Sequence, residues 1–359
     1  MTTVATFDIQ FSQYIDPTGT PTGKTLPEWA QNADTLRELY RKMVRIRQLD
    51  AKAYALQRTG KMGTYPAALG QEAIGVGYGS ALTESDVLCP YYRGQAAMIE
   101  HGVTMEEILL YWGGDERGSD FKNAREDFPI AVPIATQMLH ATGVAKAFQL
   151  RNQQRCAVTE IGEGGTSEGD FYEALNVAGI WNLGVVFIIN NNQWAISVPS
   201  EIQTACETYA QKAIAAGIKT LQVDGNDIIA VKEAAEQACK DAREGKGATL
   251  IECISLRLCD HTTADDASRY RPDGELEEGW KSEPIARLKN YLTSIGEWDD
   301  EREDALQKDV AAEVQAAVDN YLNTAPDSTE SMFDYLYEEL PARTLEQREY
   351  AINRAKGAQ

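Results

Sequence analysis

From Asp34 onward the apolar side chains of Leu36, Leu39, Tyr40, Met43, Ile46 and Leu49 recur at helical spacing, with Asp34 placed to cap the start of that helix. A glycine-rich stretch from Gly60 to Gly79 follows and reads as a loop before the chain turns helical again. Beyond about residue 140 the pattern changes. A helix-like Gln137 to Leu150 leads into an apolar run at Cys156 to Ile161, a helix near Asp170 to Asn182, and a second apolar run at Gly184 to Ile189. The alternation repeats as a strand at Ile218 to Val223, a helix over Asp227 to Arg243 with Asp227 near its start, and a strand at Thr249 to Leu256. Short apolar runs separated by single helices are what a parallel sheet covered on both faces requires. The fold class expected is therefore α/β, a doubly wound, mainly parallel sheet flanked by helices.

Before residue 34 the chain is punctuated by Pro, Gly and Thr, as in Asp16-Pro17-Thr18-Gly19-Thr20-Pro21, and reads as an arm lying over the domain or over a partner. Past Pro272 it is helical and highly charged, ending in a helix or tail over Ala342 to Gln359. The organisation expected is an N-terminal arm at 1–33, an α/β domain at 34–272, and a helical extension at 273–359 packed on that same domain.

Composition narrows the class. With 359 residues the chain is long enough to sustain a large core. Its 34 Lys and Arg against 55 Asp and Glu give a net charge of −21, which repels nucleic acid and anionic membranes. Neither is an expected partner, and any phosphate bound here needs local cations. The longest uninterrupted apolar run, Val185 to Ile189, falls far short of the ~18 residues that a membrane-spanning helix needs. The N-terminus has neither a secretory nor a transit pattern, so a cytoplasmic protein is expected. Six cysteines form no C-x-x-C pair, and several fall inside apolar runs, as buried reduced thiols do.

The sharpest chemical feature begins where the strand ending at Ile161 runs into Gly162-Glu163-Gly164-Gly165-Thr166-Ser167-Glu168-Gly169-Asp170 and the next helix starts. Backbone N–H groups bared by glycine at a helix start suit an anion, and doubly wound folds bind ligands at the carboxyl ends of their strands. Serine at 167 breaks the G-x-G-x-x-G pattern of a nicotinamide dehydrogenase, and no P-loop lysine follows. Glu163 stands instead, and a carboxylate beside a diphosphate is tolerable where a hard divalent cation bridges the two. A second oxygen ligand is available at the end of the next strand, in Asn190-Asn191-Asn192-Gln193-Trp194, with Asn192 placed 29 residues after Glu163. That interval is about one strand-helix-strand repeat, so the two turns meet at adjacent strand ends.

Gly162-Glu163-Gly164 followed at this distance by Asn191-Asn192 resembles the thiamine diphosphate (ThDP) signature, a G-[DE]-G to N-N pattern. The surrounding chain, from about Thr35 on, is similar to the alpha subunit of the decarboxylating component of 2-oxoacid dehydrogenase complexes. The segments that carry this likeness are Gly60 to Ala73, Tyr92-Arg93, Ala135-Thr136-Gln137, Gly162 to Asn176, Asn191 to Ser197, Val223 to Asp227 and His261 to Tyr270. The resemblance implies that Gly162, Glu163, Gly164 and Gly165 form the cofactor turn. It makes Glu163, Asn192 and the Trp194 backbone carbonyl ligands of Mg2+. It places Tyr92, Arg93 and Arg257 near the diphosphate, a backbone carbonyl of Ile134 at the aminopyrimidine, and Ile196 as the apolar wall that bends the cofactor. His261 would be the catalytic histidine, able to hold or give a proton near neutral pH, whereas His101 and His140 have no such setting and read as structural. A K+ site would use Pro133, Thr136 and Gln137, although Val132 stands where branched-chain relatives often carry a hydroxyl. Thr262 occupies the place of a regulatory phosphoserine in animal relatives, but a loop threonine by itself implies no regulation.

The resemblance further implies an α2β2 heterotetramer with a beta subunit that supplies the activating glutamate, and acyl transfer to the lipoyl domain of a dihydrolipoyl acyltransferase core. The substrate expected is a 2-oxoacid. The block from Gly164 to Ser197 and the N-terminal arm look pyruvate-type, while Glu163 in place of aspartate points to the alternative, a branched-chain (3-methyl-2-oxobutanoate) enzyme.

Overall fold

The computed structural model describes residues 1–357. These divide into two compact units, Met1–Val318 and one that begins at Asp319. The first holds a six-stranded sheet made of β1 (Phe11–Ser12), β2 (Val87–Cys89), β3 (Ala157–Gly162), β4 (Val185–Asn191), β7 (Lys219–Asp224) and β8 (Thr249–Ile254). Their order is β1-β7-β8-β4-β3-β2, and every pairing is parallel. A separate antiparallel hairpin joins β5 (Trp194–Ala195) to β6 (Val198–Pro199). The doubly wound α/β class read from the sequence is thus the fold observed.

The helices of the first unit are α1 (Ala33–Arg58), α2 (Glu72–Gly79), α3 (Gln95–Glu100), α4 (Met105–Trp112), α5 (Thr136–Leu150), α6 (Gly169–Trp181), α7 (Ser200–Gln203), α8 (Ile228–Arg243), α9 (Glu275–Trp280) and α10 (Pro284–Ser294). A further helix, α11 (Asp300–Asn323), begins in that unit and crosses the division. The second unit contains α12 (Ser331–Asp334) and α13 (Ala342–Gly357), linked by an Arg348–Asp334 ion pair of 2.9 Å. No helix of the described residues is long and apolar enough to cross a membrane.

Strand β4 is buried along its whole length, as a central parallel strand must be. Phe187 and Ile189 on it, Ile161 on β3, Met138 on α5 and Phe171 and Leu175 on α6 fuse into one apolar cluster. That cluster fixes β3 and β4 side by side, with Gly162 opposite Asn190, so the two chemistry-bearing turns emerge at the same edge.

Two local expectations are corrected, the cap of the first helix and the loop from Gly60 to Gly79. The first helix is capped by Asn32, whose side chain accepts from the Asp34 amide, so Asp34 lies inside the first turn. The expected loop from Gly60 to Gly79 contains α2, which is buried throughout. A Cβ at Gly75, Gly77 or Gly79 would come within 2.6–2.7 Å of Ala96, Val231 or Ala97. Glycine there serves close helix packing rather than turn formation. The N-terminal arm is tied down: Asp227, the N-cap of α8, accepts from the backbone amides of Tyr14 and Ile15 at 2.6 and 3.0 Å, and β1 adds an edge to the sheet. All six cysteines are free thiols, four of them buried and Cys206 and Cys259 half-buried.

Candidate active site

At the carboxyl edge of β2, β3 and β4 lies a cavity of about 200 Å³. The turn after β3 contributes Gly162, Glu163, Gly164 and Gly165, and the chain after β4 contributes Asn192, Trp194 and Ile196. Tyr92 and Arg93 enter beyond β2, Ile134 from the turn before α5, and His261 from the loop beyond β8. Every residue expected at the cofactor except Arg257 therefore lines one cavity, whereas Pro133, Thr136 and Gln137 of the expected K+ site do not. Tyr91, Glu168 and Ala195 complete the lining and were not singled out from the sequence, although Tyr91 adjoins the Tyr92-Arg93 pair and the other two adjoin named turns.

The turn after β3 is shaped by what its glycines exclude. A Cβ on Gly164 would sit 2.4 Å from the Ala195 Cβ, one on Gly162 2.8 Å from the Tyr91 hydroxyl, and one on Gly165 2.8–2.9 Å from Ile161 and Ile134. Backbone therefore forms the cavity floor where side chains would fill it. The segments packed against these glycines carry backbone strain: Ala135, Gln193 and Ile196 adopt left-handed φ values of 68°, 71° and 57°. For a β-branched residue such as Ile196 this conformation is costly, so the surrounding structure must hold it.

Glu163 is almost fully buried. One of its oxygens, Oε2, accepts from the Asn192 backbone amide at 3.2 Å, and the other, Oε1, has no partner. Burial pushes its carboxyl up to about 7, against the pull of those amides, Arg257 and Arg93. A carboxylate held this way calls for a cation. Asn192 is oriented to help supply one: its Nδ2 donates to Gln71 Oε1 at 2.9 Å and its Oδ1 accepts from the Trp194 amide at 3.2 Å. Those two bonds fix the amide with its oxygen as the remaining acceptor. Gln71 is a positioning residue that sequence reasoning left without a role, although it lies inside the quoted segment Gly70-Gln71-Glu72-Ala73. Among the described residues no cluster of three His, Cys, Asp or Glu could hold a metal. The available set is one carboxylate, one amide oxygen and backbone carbonyls, hard oxygen donors that suit Mg2+ completed by phosphate oxygens.

Arg257 departs from expectation. It is fully buried, and its guanidinium donates to the Cys259, Trp194 and Ile196 carbonyls and to the Tyr270 hydroxyl, at 3.2, 3.2, 2.7 and 2.9 Å. Its donors hold the walls of the cavity, including the strained Ile196, and the side chain does not line the cavity itself. The Trp194 carbonyl keeps one lone pair beyond the bond from Arg257. Arg93 performs a related task on the other side. Its Nη1 donates to the Ala67 carbonyl at 2.7 Å and its Nη2 reaches the His261 carbonyl at 2.9 Å and ring Nδ1 at 3.1 Å, while the buried Nε is unpartnered.

His261 does not titrate near neutral pH as the sequence suggested. Burial first, then the charges of Arg93 and Arg257, lower its pKa to about 3. The ring is neutral, and because Nδ1 faces an arginine donor the proton resides on Nε2. His101 lies outside this cavity and is bonded to Asp127 and the Thr83 carbonyl. His140 packs against Phe128, so both have the structural settings expected of them. In the K+ segment, the Pro133 carbonyl already accepts from the Thr136 amide at 3.4 Å. Gln137 donates to the Glu160 carbonyl at 2.8 Å and has a buried, unpartnered Oε1.

The fold and this cavity define a class: an α/β subunit whose candidate site sits at the carboxyl edge of a doubly wound sheet. Residues 40–328 match the family described as dehydrogenase E1 component. The chain is 42% identical over 318 residues to the pyruvate dehydrogenase E1 component subunit alpha of Mycoplasma genitalium, with 89% of each chain covered. It is 38% identical over 317 residues to the protein of the same name from Staphylococcus aureus, covering 88% of this chain and 86% of that one. It is also 38% identical over 351 residues to the 3-methyl-2-oxobutanoate dehydrogenase subunit alpha of Mycobacterium tuberculosis, covering 95% of this chain and 93% of that one. The chain belongs to the dehydrogenase E1 component family, the ThDP-dependent 2-oxoacid dehydrogenases.

Proposed function

We propose that this chain is the alpha subunit of an acetyl-transferring pyruvate dehydrogenase, acting with a beta subunit and passing an acyl group to the lipoyl domain of a dihydrolipoyl acyltransferase core. The pyruvate part of this reading rests on the Mycoplasma and Staphylococcus relatives, and its cofactor part on the unpartnered, buried Glu163 Oε1, set beside a glycine floor and an oriented Asn192. ThDP, when bound, supplies the electron sink that makes loss of carbon dioxide from a 2-oxoacid feasible.

This chain's residues do the rest by binding and orienting. Glu163, the Asn192 Oδ1 and the Trp194 carbonyl would hold Mg2+, whose charge would offset the buried carboxylate and that of the diphosphate. Tyr92 and Arg93 stand at the diphosphate, with the unpartnered Arg93 Nε in reserve as a donor. Ile134, 45% exposed, would offer its backbone carbonyl to the aminopyrimidine, and Ile196, 56% exposed, would form an apolar wall. His261, neutral with its proton on Nε2, donates a hydrogen bond to substrate oxygen rather than delivering a proton as an imidazolium. The Gln137 Oε1, with Pro133 and Thr136, offers oxygen to K+.

Ile134 and Ile196, exposed at the cavity, and the exposed Val132 and Val198 two residues from them in sequence offer apolar surface that a beta subunit would cover, completing the site in an α2β2 assembly. The carboxylate that activates the cofactor is assigned to that subunit. Two observations favour a second reading, the branched-chain enzyme: Glu163 in place of aspartate, and the Mycobacterium relative that spans 95% of this chain. Dye-coupled oxidative decarboxylation by the co-purified assembly separates them. Cofactor-dependent turnover that prefers pyruvate supports the first reading, preference for 3-methyl-2-oxobutanoate supports the second, and no turnover with either contradicts both.

A further inference from the structure

Lys212 does not line the cavity, yet it binds the turn that does. It lies in the 3-10 segment Ala210–Ala216 and is 6% exposed. Its Nζ donates to the Thr166 hydroxyl at 2.8 Å and the Thr166 carbonyl at 3.2 Å, with the rings of Tyr209 and Tyr172 centred 5.3 and 5.6 Å away. No carboxylate among the described residues pairs with it, and burial lowers its pKa. Thr166 in turn donates its hydroxyl hydrogen to the Glu163 carbonyl at 2.6 Å. Gln203 reinforces the same turn, donating to the Gly164 carbonyl at 3.1 Å and accepting from the Tyr209 hydroxyl at 2.7 Å. Lys212, Tyr209 and Gln203 together form a brace on Glu163–Ser167.

A buried ammonium met only by neutral oxygens and aromatic rings is an expensive way to hold a turn, since an apolar side chain of similar length would carry no desolvation cost. The charge becomes favourable when an anion binds to that same turn, where the low-dielectric surroundings screen their attraction little. We infer that Lys212 is a positioning residue for the cofactor diphosphate, holding the turn through Thr166 and supplying buried positive charge to its far side. The inference rests on the ThDP reading of the cavity.

The test is calorimetric titration of ThDP, at saturating Mg2+, into the chain co-expressed with its partner subunit, with the thermal midpoint of the cofactor-free assembly measured in parallel. Lys212→Met weakens ThDP binding at least about tenfold, the weight of one charge-assisted hydrogen bond. Lys212→Arg recovers most of that loss, whereas Lys212→Gln, which keeps a donor without the charge, remains weak. A Lys212→Met assembly that binds ThDP within about twofold of the unmodified one overturns the inference, whatever its midpoint, because the lysine then serves the fold alone. If Lys212→Met does not assemble, Thr166→Val removes the hydroxyl through which Lys212 holds the turn and is expected to weaken binding about threefold; unchanged affinity there overturns the inference. Failure of the unmodified assembly to bind ThDP overturns the cavity reading together with this inference, whereas normal binding by every variant overturns this inference alone.

Discussion

Two segments meet at the cavity and differ in what shapes them. The turn Gly162–Ser167 is shaped first by backbone: its glycines lie against Ala195, Tyr91, Ile161 and Ile134 at distances that exclude any Cβ, it springs from the buried strand β3 beside β4, and the Lys212 and Gln203 side chains brace it from behind. The loop from Asp260 to Tyr270 is held by side chains. Arg93 binds the His261 carbonyl, Asp265 accepts from the His261 amide at 2.8 Å and from the Tyr270 hydroxyl at 2.5 Å, and Thr263 accepts from the Tyr65 amide at 3.0 Å. The first segment is therefore part of the fold, its backbone path set by close packing. The second is fixed only as firmly as its polar bonds, which suits the half of the site expected to meet substrate.

The contrast is easiest to break on the backbone side. Gly164→Ala drives a Cβ to 2.4 Å from Ala195, with no flexible atom to yield. Strain of ~1–3 kcal/mol falls on the turn, and ThDP affinity measured by calorimetry is expected to drop by up to about 100-fold. The assembly itself should still form. On the side-chain side, Arg93→Lys keeps the charge but loses the fork that reaches Ala67 and His261 together. Turnover should fall on the order of tenfold, and hydrogen exchange of the amides at 260–270 should rise while that of β3 stays unchanged. Protection that falls equally in both segments would erase the distinction.

A smaller effect comes from Asp50, which lies outside this cavity and lines a larger one of about 640 Å³ that shares no residue with the glycine turn. It accepts from the Tyr65 hydroxyl and the Ala68 amide, and burial raises its carboxyl to about 7. Because the folded pKa lies above the unfolded one, the group's pH-dependent stabilisation is fully present below about pH 4 and is lost as pH rises through about 7. Denaturation midpoints of Asp50→Asn and the unmodified assembly should therefore differ most in favour of the unmodified protein at pH 5, with that advantage shrinking toward pH 8. A pH-independent difference would show that Asp50 is ionised in the folded state.

The same contrast explains what could be read in advance. The turn after β3 was legible because an apolar run, a glycine cluster and a helix start adjoin one another in sequence, and one strand-helix-strand repeat carries the reader on to Asn192. Strands β1 and β2 were not, since two and three residues are too few to show a period. Helix α2 was mistaken for loop because its glycines answer to helices α3 and α8, which arrive from elsewhere in the chain. On the side-chain half, the location of His261 was legible and its chemistry was not. Its depressed pKa depends on two arginines and on burial that only the folded chain brings together. Arg257 was assigned to phosphate for the same reason: sequence gives a cation near a strand end, but not the four oxygen acceptors that consume its donors.

The most direct test of this division of labour is a paired measurement on the partner-bound chain, recording ThDP affinity in Mg2+ and turnover with a 2-oxoacid for Asn192→Ala and His261→Ala side by side. The account predicts that Asn192→Ala loses cofactor affinity by at least about tenfold, with its fold intact. His261→Ala should bind ThDP as the unmodified assembly does and lose turnover instead. Unchanged affinity in Asn192→Ala, or normal acylation of the lipoyl domain by His261→Ala, would contradict it.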